Sequence, residues 1–264
     1  CDLEANVFLV AQDCLADAVN KGLKVAREAA VERLTKLLAA YRKYCSAGSH
    51  SSQLLMPELL KLLPIYTLCI LKSDALSVGT STRIDARVQC IFDLMGIPIP
   101  RLLHYLYPRM FAVHNLLTHQ TAGMNHPQTQ CCYLPTMQQL TSDTVMSHGV
   151  YVLHDQQARL VYLWIGSQVS SRVSAALFGG VEDASQVGVT VHLEQFHERL
   201  RNILYALMLN DNGSMDRLLV VHEREATEEA FFRNMLEDEN VPGMQSYSDL
   251  LCLLHKNINT RLSQ

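Results

Sequence analysis

The sequence predicts two domains: an all-α helical domain, then an α/β (α+β) domain with a central mixed sheet flanked by helices. Three observations carry this. Through residues 24–118 apolar side chains recur at helical spacing, with no pair of neighbours reading as a convincing strand. From residue 149 onward, short apolar or alternating runs interleave with helical ones. Between the two lies HQTAGMNHPQTQCCYLPTMQQL, residues 119–140, rich in Gln, Thr and Pro and without a period. A structureless stretch of that length is unusual inside one compact domain. The boundary is therefore expected there, giving domains 1–125 and 126–264. Charge supports the division: residues 1–125 carry 13 Lys+Arg against 10 Asp+Glu, and residues 126–264 carry 9 against 16.

The chain has 264 residues, 48% apolar and 18% charged. That suits a globular protein with a sizeable core and excludes disorder, collagen and a coiled coil as global descriptions. Neither half is basic enough for the phosphate-binding footprint of a nucleic-acid protein. No basic segment followed by an apolar core and a cleavage site stands near the start. A chain beginning at Cys1 is expected to be a fragment or a processed product. The eight cysteines (1, 14, 45, 69, 90, 131, 132 and 252) form no CxxC pair and no regular framework. They are expected to be free thiols in a reducing compartment, several acting as small apolar side chains.

Taken in order, Leu34, Leu37, Leu38, Tyr41 and Cys45 mark an amphipathic helix over residues 24–45, ended by Gly48 and the SHSS run. QLLMPELLKLLPIYTLCILKS, residues 53–73, is dense in apolar side chains. With Glu58 and Lys61 inside it, it is too short and too charged to span a bilayer, which takes roughly 20 apolar residues. Pro57 suits the first turn of a helix, and Pro64 must kink that helix or begin another. Leu59, Leu62, Leu63, Tyr66 and Ile70 are expected to be mostly buried; exposure would instead favour a binding groove. Thr82 and Asp85 fit a capping box. After them Ile84, Val88, Ile91, Phe92 and Met95 line one face, with Gly96 at the left-handed C′ position. PRLLHYLYPRMFAVHNLL is expected to continue as short helices bent at Pro108.

In the second half, GVYVLHD and RLVYLWIG flank a polar turn and read as a hairpin. SSRVSAALFGG is a short helix with turn glycines at its end. GVTVHL is a strand. Phe196, Leu200, Ile203, Leu204, Leu207 and Met208 make a strong amphipathic helix closed by NDNG. RLLVVHE is a strand, and residues 227–238 and 247–262 are helices. Along RLVYLWIG read as a strand, Leu160, Tyr162 and Trp164 share one face while Val161, Leu163 and Ile165 share the other. Both faces are apolar, as in a sheet covered on both sides. Trp164 is therefore expected to be packing.

Chemistry is sparse. His114 and His119, and His192 and His197, are each five apart, and neither pair has the spacing of HExxH or of a zinc finger. They read as surface or capping histidines. GSQVSS at 166–171 is not a nucleophile elbow, because Ser167 directly follows Gly166. GSHSS at 48–52 lacks the lysine of a P-loop. Asp155, Glu182 and Asp183 cannot assemble the 6–8 oxygens of a calcium site. Glu223, Glu225, Glu228, Glu229, Glu237, Asp238 and Glu239 read first as a solvated helix face, and second as an acidic patch for a basic partner. Phe231, Phe232, Met235 and Leu236 read as core. No catalytic, cofactor-binding or metal-binding residue is assigned, and an enzyme is not expected.

The run QL-x-x-PE-x-x-K-LLP-x-Y at 53–66, the RIDAR helix after it and the YPR at 107–109 together resemble the helical domain of the COPII inner-coat (Sec23/Sec24) family. LPTMQQLTSDTVMSHGVYVLHDQQARLVYLWIGSQVSS…LFGG, from residue 134 on, is similar to the gelsolin-like domain that follows it in that family. The similarity spans essentially the whole chain and is nearer to the cargo-selecting member. It implies the non-enzymatic C-terminal region of a cargo adaptor for endoplasmic reticulum to Golgi vesicle transport. It implies as partners the GTPase-activating subunit of the coat, the small GTPase of the coat and membrane cargo proteins. It implies peripheral association with the cytosolic face of the endoplasmic reticulum membrane and of coated vesicles, with no transmembrane segment and no nucleic acid. The family's zinc site is expected in a part of the protein N-terminal to this chain, so no cofactor is expected here. Cargo-binding residues are unknown from the sequence. The alternatives are the GTPase-activating paralogue and an actin-binding gelsolin-type module.

Overall fold

In a computed structural model, residues 2–45, 53–78, 82–189, 191–210, 213–239 and 245–263 are described. Gly48 with the SHSS run, and with it GSHSS, lie outside these residues, as do Cys1 and part of NDNG. The chain forms two compact units, one of residues 1–107 with 236–264 and one of residues 108–235.

The first unit is all helical. Its first helix, α1 (Leu3–Lys21), starts where the Asp2 side chain accepts the Glu4 N–H and ends at Gly22, whose φ of 89° only glycine adopts freely. The second helix, α2 (Leu23–Cys45), follows at once. The two pack through short side chains: Val7, Ala11 and Cys14 on α1, and Ala26, Ala30, Leu34 and Leu38 on α2, are all but fully buried. Pro57 does not open an α-helix; it caps a single 3₁₀ turn over Glu58–Leu60. Pro64 takes the second position of α3 (Leu63–Lys72), where its missing N–H costs nothing. So it restarts the chain and does not kink a helix. Eight of the ten α3 residues are buried, as expected of a helix apolar on nearly every side. The Arg27 guanidinium donates to the carbonyls of Leu71 and Leu76, satisfying groups freed at the end of α3.

The next helix, α4 (Ile84–Gly96), differs from expectation at both ends and along its face. Arg83, with no side-chain cap, precedes it, because Thr82 Oγ1 turns to Ser77 Oγ at 2.8 Å and Asp74 Oδ1 at 3.4 Å. Gly96 is its last helical residue and not a left-handed C′. Cys90 and Leu94 face inward, where Gln12 Nε2 donates to the Leu94 carbonyl. The expected core stripe turns outward: Ile84 is 78% exposed, Phe92 67% and Met95 52%. A short α5 (Ile99–Leu106) follows Pro98, with Pro100 as its second residue.

Pro108 then ends this run of α-helices, and of the helical continuation expected after it only a 3₁₀ turn over Leu116–Thr118 is present. Residues 109–112, expected as helix, form strand β1 (Arg109–Ala112), because Met110 and Phe111 pair across a hairpin partner and are buried on opposite faces. The remaining strands are β2 (Met137–Gln138), β3 (Val150–Asp155), β4 (Leu160–Ile165) and β5 (Arg217–His222). The sheet order is β2-β1-β3-β4-β5, with β4 and β5 parallel and the other pairs antiparallel, so the sheet is mixed. β3 and β4 form the expected hairpin, from Val150 opposite Ile165 to Asp155 opposite Leu160.

One face of the sheet (Phe111, Val152, Val161, Leu163) packs on α6 (Ser171–Leu177) and α7 (Glu198–Met208). The other face packs on α8 (Glu228–Phe232), where Trp164 stacks on Phe231 at 5.9 Å. Both apolar faces of β4 are thus covered, and Trp164 is packing. GVTVHL is not a strand: Val187 and Val191 share one isolated bridge, and Leu193–Gln195 form a 3₁₀ turn; its Thr190 lies outside the described residues. The helix expected over 227–238 shortens to the five residues of α8.

The last helix, α9 (Tyr247–Leu262), belongs to the first unit. It packs on α2 and α3 through Leu250, Leu254 and Ile258. Arg42 donates to Asn259 at 2.7 Å, and Arg261 pairs with Glu32 at 2.7 Å. Lys72 Nζ donates to the Leu236 and Asp238 carbonyls, and Tyr107 Oη donates to Glu237 at 2.6 Å. The expected division into 1–125 and 126–264 therefore differs from the observed one. Residues 108–125 enter the sheet unit through β1, and residues 236–264 return to the helices.

Candidate interaction surfaces

The acidic stretch of residues 223–239 is partly engaged within the molecule. Glu223 accepts Ser147 Oγ at 2.8 Å, Ser167 N–H at 2.7 Å and Ser167 Oγ at 2.6 Å. The two bonds from Ser167, and then that from Ser147, hold its carboxyl below the ordinary range. Glu228 accepts the Trp164 Nε1–H at 3.1 Å and the Arg224 N–H at 2.9 Å, and Glu229 pairs with Arg233 at 2.7 Å. The bonds to Glu223 and Glu228 hold loops onto the ends of β4 and β5, while Glu225, Glu229 and Glu239 remain exposed. Phe231 and Met235 are buried, as core.

The residues weighed for metal binding do not converge. Asp155 accepts the N–H groups of Gln157 and Ala158 in its own turn, and Asp183 those of Ser185. Among the described residues no group of three or more His, Cys, Asp or Glu side chains is placed to hold a metal ion. His197 caps α7, its Nδ1 accepting the Arg199 N–H at 3.2 Å. Ser167 donates both its N–H and its Oγ–H to Glu223, with no histidine bonded to it among the described residues.

Two surfaces remain. On the helical unit, the apolar run divides at Leu63. Leu63 and Ile70 are buried and Tyr66 is half-buried, but Leu59 is 67% exposed and Leu62 50%. Part of the expected burial is thus overturned: the 3₁₀ turn before α3 points two leucines at solvent beside Lys61. A groove reading of this turn regains support.

On the sheet unit, His114 and His119, which share no motif spacing, line one cavity of about 300 Å³. β1 brings in Ala112 and the residues after it, the edge strand β2 brings in Gln138 with Pro135 and Thr136, and β3 brings in Tyr151. The Tyr151 ring lies over Gly149, where a Cβ would come 2.5 Å from it. Its Oη accepts the Met146 N–H at 3.1 Å. The pocket was not foreseeable without β1.

Residues 2–104 match the Sec23/Sec24 helical domain. The whole chain is similar to human protein transport protein Sec24C, 26% identical over 268 residues that cover 100% of this chain and 23% of that protein. It is similar to Arabidopsis thaliana SEC24 C, 29% identical over 265 residues, 99% of this chain and 23% of that protein. Over 192 residues, 71% of this chain, it is 30% identical to sec24 of Neurospora crassa, covering 20% of that protein. Among solved structures, the human COPII-coat protein Sec24c superposes with a TM-score of 0.80 at 25% identity, covering 99% of this chain and 32% of that one. The chain thus spans about a quarter of the length of the curated relatives it matches. No helix among the described residues is long and apolar enough to cross a membrane. Residues 2–104 thus carry a Sec23/Sec24 helical domain, and the chain as a whole is similar to Sec24 proteins across both units.

Proposed function

We propose that these 264 residues work as the helical and gelsolin-like region of a COPII cargo adaptor. It selects membrane cargo for endoplasmic reticulum to Golgi transport at the cytosolic face of the membrane. It acts through surfaces and carries out no bond chemistry. Its partners are the GTPase-activating subunit, the small GTPase of the coat and membrane cargo. The observation that carries this is the likeness to Sec24 proteins across both units, which a single shared module would not produce. The exposed Leu59 and Leu62 favour the helical unit as one recognition surface.

The test replaces the matching quarter of human Sec24C with these residues and reads coat assembly and cargo capture on liposomes. Capture near the parental level is expected, and a chimera that folds but joins no coat would overturn the reading. The paralogue alternative is tested by GTP hydrolysis on the small GTPase, where strong stimulation by this chain alone would favour it. The actin alternative is tested by co-sedimentation with filaments, where none is expected.

A further inference from the structure

The cavity beside β2 has a definite chemistry. None of its ten lining residues is Asp, Glu, Lys or Arg. Burial, against a bond to Val150 and with a smaller push from His148, holds the His114 imidazole below the ordinary histidine range. The Tyr151 side chain is 2% exposed and accepts from Met146, yet its own O–H proton has no acceptor among the described residues. A buried donor of this kind is destabilising unless it finds a partner. His114 Nδ1 lies 3.4 Å from the Val150 amide nitrogen. It lies equally 3.4 Å from the Val150 carbonyl oxygen, so Nδ1 accepts or donates there and Nε2 is donor or acceptor according to the tautomer. Acceptors are present too: Gln138 Nε2 is used on the Thr136 carbonyl at 3.2 Å, which leaves its Oε1 for a ligand. The pocket therefore offers an unused donor in Tyr151 and an unused acceptor in Gln138, with no acidic side chain, lysine or arginine in its wall.

Its position adds the second half of the argument. β2 is the outermost strand of the sheet and pairs only with β1 among the described residues. The free side of an edge strand is a template for an added strand, and peptides commonly dock this way, with alternate side chains entering pockets beside the edge. Gln138 belongs to that edge strand and also lines the cavity.

We propose that this cavity is a peptide-binding subsite that takes an extended segment along β2 and seats one carboxamide side chain, a glutamine, against Tyr151, His114 and Gln138. The carboxamide oxygen accepts from Tyr151 Oη–H, and its NH₂ donates to Gln138 Oε1. A carboxylate or an ammonium entering the same space finds no counter-charge in the wall and loses its hydration. An aliphatic side chain leaves Tyr151 unsatisfied, and sites built to bond a polar group reject analogues lacking it. This inference goes beyond the coat reading, since the chemistry of the pocket is the same whichever larger assembly the chain serves.

The experiment titrates the whole chain into a fluorescein-labelled, amidated peptide Ser-Val-Gln-Val-Ser and reads anisotropy. Versions with Glu, Lys or Leu in place of Gln run beside it. Saturable binding with Kd on the order of 10⁻⁴ M is expected for the Gln peptide, with each replacement weaker by about tenfold or more. Tyr151→Phe should weaken the Gln peptide by about tenfold and bring the Leu peptide to parity with it. Thr136→Trp, at an exposed position, should fill the mouth and abolish binding at an unchanged melting temperature; it decides the matter if Tyr151→Phe unfolds the chain. Equal or tighter binding of the Glu peptide, no saturation by about 1 mM, or Thr136→Trp binding like the parent overturns the proposal. Failure here leaves the liposome result for the chimera untouched, and failure on liposomes leaves the peptide titration to stand on its own.

Discussion

At the scale of single residues, the sheet unit is held by contacts that permit no substitute. A Cβ on Gly166 would sit 1.9 Å from the Ser147 carbonyl oxygen, a distance that only a backbone shift relieves. Gly166→Ala is expected to cost about 2 kcal/mol, read as a lower urea midpoint. Gly96→Ala, where the added carbon meets nothing within 4 Å, should instead stabilise by about 0.5 kcal/mol. The buried His154–Asp216 pair, 3.0 Å apart with both side chains 2% exposed, sets a second demand. Burial pushes the Asp216 carboxyl up, but hydrogen bonds from Asn210, His154 and Arg159 outweigh it and hold the carboxyl below the ordinary range. A depressed folded-state pKa gives stability that is fully present above the unfolded value of about 3.9 and is lost as pH falls through the folded one. Asp216→Asn should cost about 3 kcal/mol at neutral pH and flatten the acid limb of the stability curve. Urea melts across the acid range would show whether that limb survives the substitution.

At the scale of elements, the two leucines flanking the start of α3 separate packing from recognition. Leu63 is 1% exposed, and Leu63→Ala should cost about 3 kcal/mol. Leu62 is half exposed, and Leu62→Asp should leave the melting temperature within about 1 °C while weakening cargo capture by the liposome-bound chimera. Unchanged capture would remove this turn from the recognition surface. The same stretch shows what the sequence could and could not disclose. Density of apolar side chains located α3 and its burial, because a helix buried all round needs no stripe. It could not distinguish Leu62 from Leu63, because Leu62 is the N-cap of α3 and Leu63 its first residue, a boundary set by Pro64. Period located α2, α7, α9 and the β3–β4 hairpin, where local pattern and tertiary packing agree. Period misled at α4, where a regular apolar stripe faces outward and Cys90 and Leu94 make the contacts. It missed β1, four residues whose strand state comes from pairing with β3 and not from their own alternation. The His114 pocket depends on β1 and was hidden with it.

At the scale of the whole chain, the return of residues 236–264 to the helical unit makes that unit depend on its last helix. Removing α9 uncovers Leu34-side surface on α2 and takes away Leu250, Leu254 and Ile258, each at most 1% exposed. At about 1.5–3 kcal/mol for each large apolar side chain, roughly 5–9 kcal/mol of burial is lost, as much as the entire stability of many domains. Arg42, 8% exposed, also loses its Asn259 partner. The sheet unit loses nothing by the same cut, because its core of Phe111, Val152, Leu163, Leu200 and Leu204 lies wholly within residues 108–235. Trp164, the one tryptophan of the chain, lies in β4 and reports on that unit alone. A chain ending at residue 244 should therefore lose much of its far-ultraviolet helical signal while its tryptophan emission keeps the blue-shifted maximum and the melting midpoint of the full chain. Residues 108–235 expressed by themselves should show the same tryptophan transition. Loss of that transition in either fragment would mean that the sheet unit takes its stability from the helices, and the division at Pro108 and Met235 would then describe contact density without describing how the molecule folds.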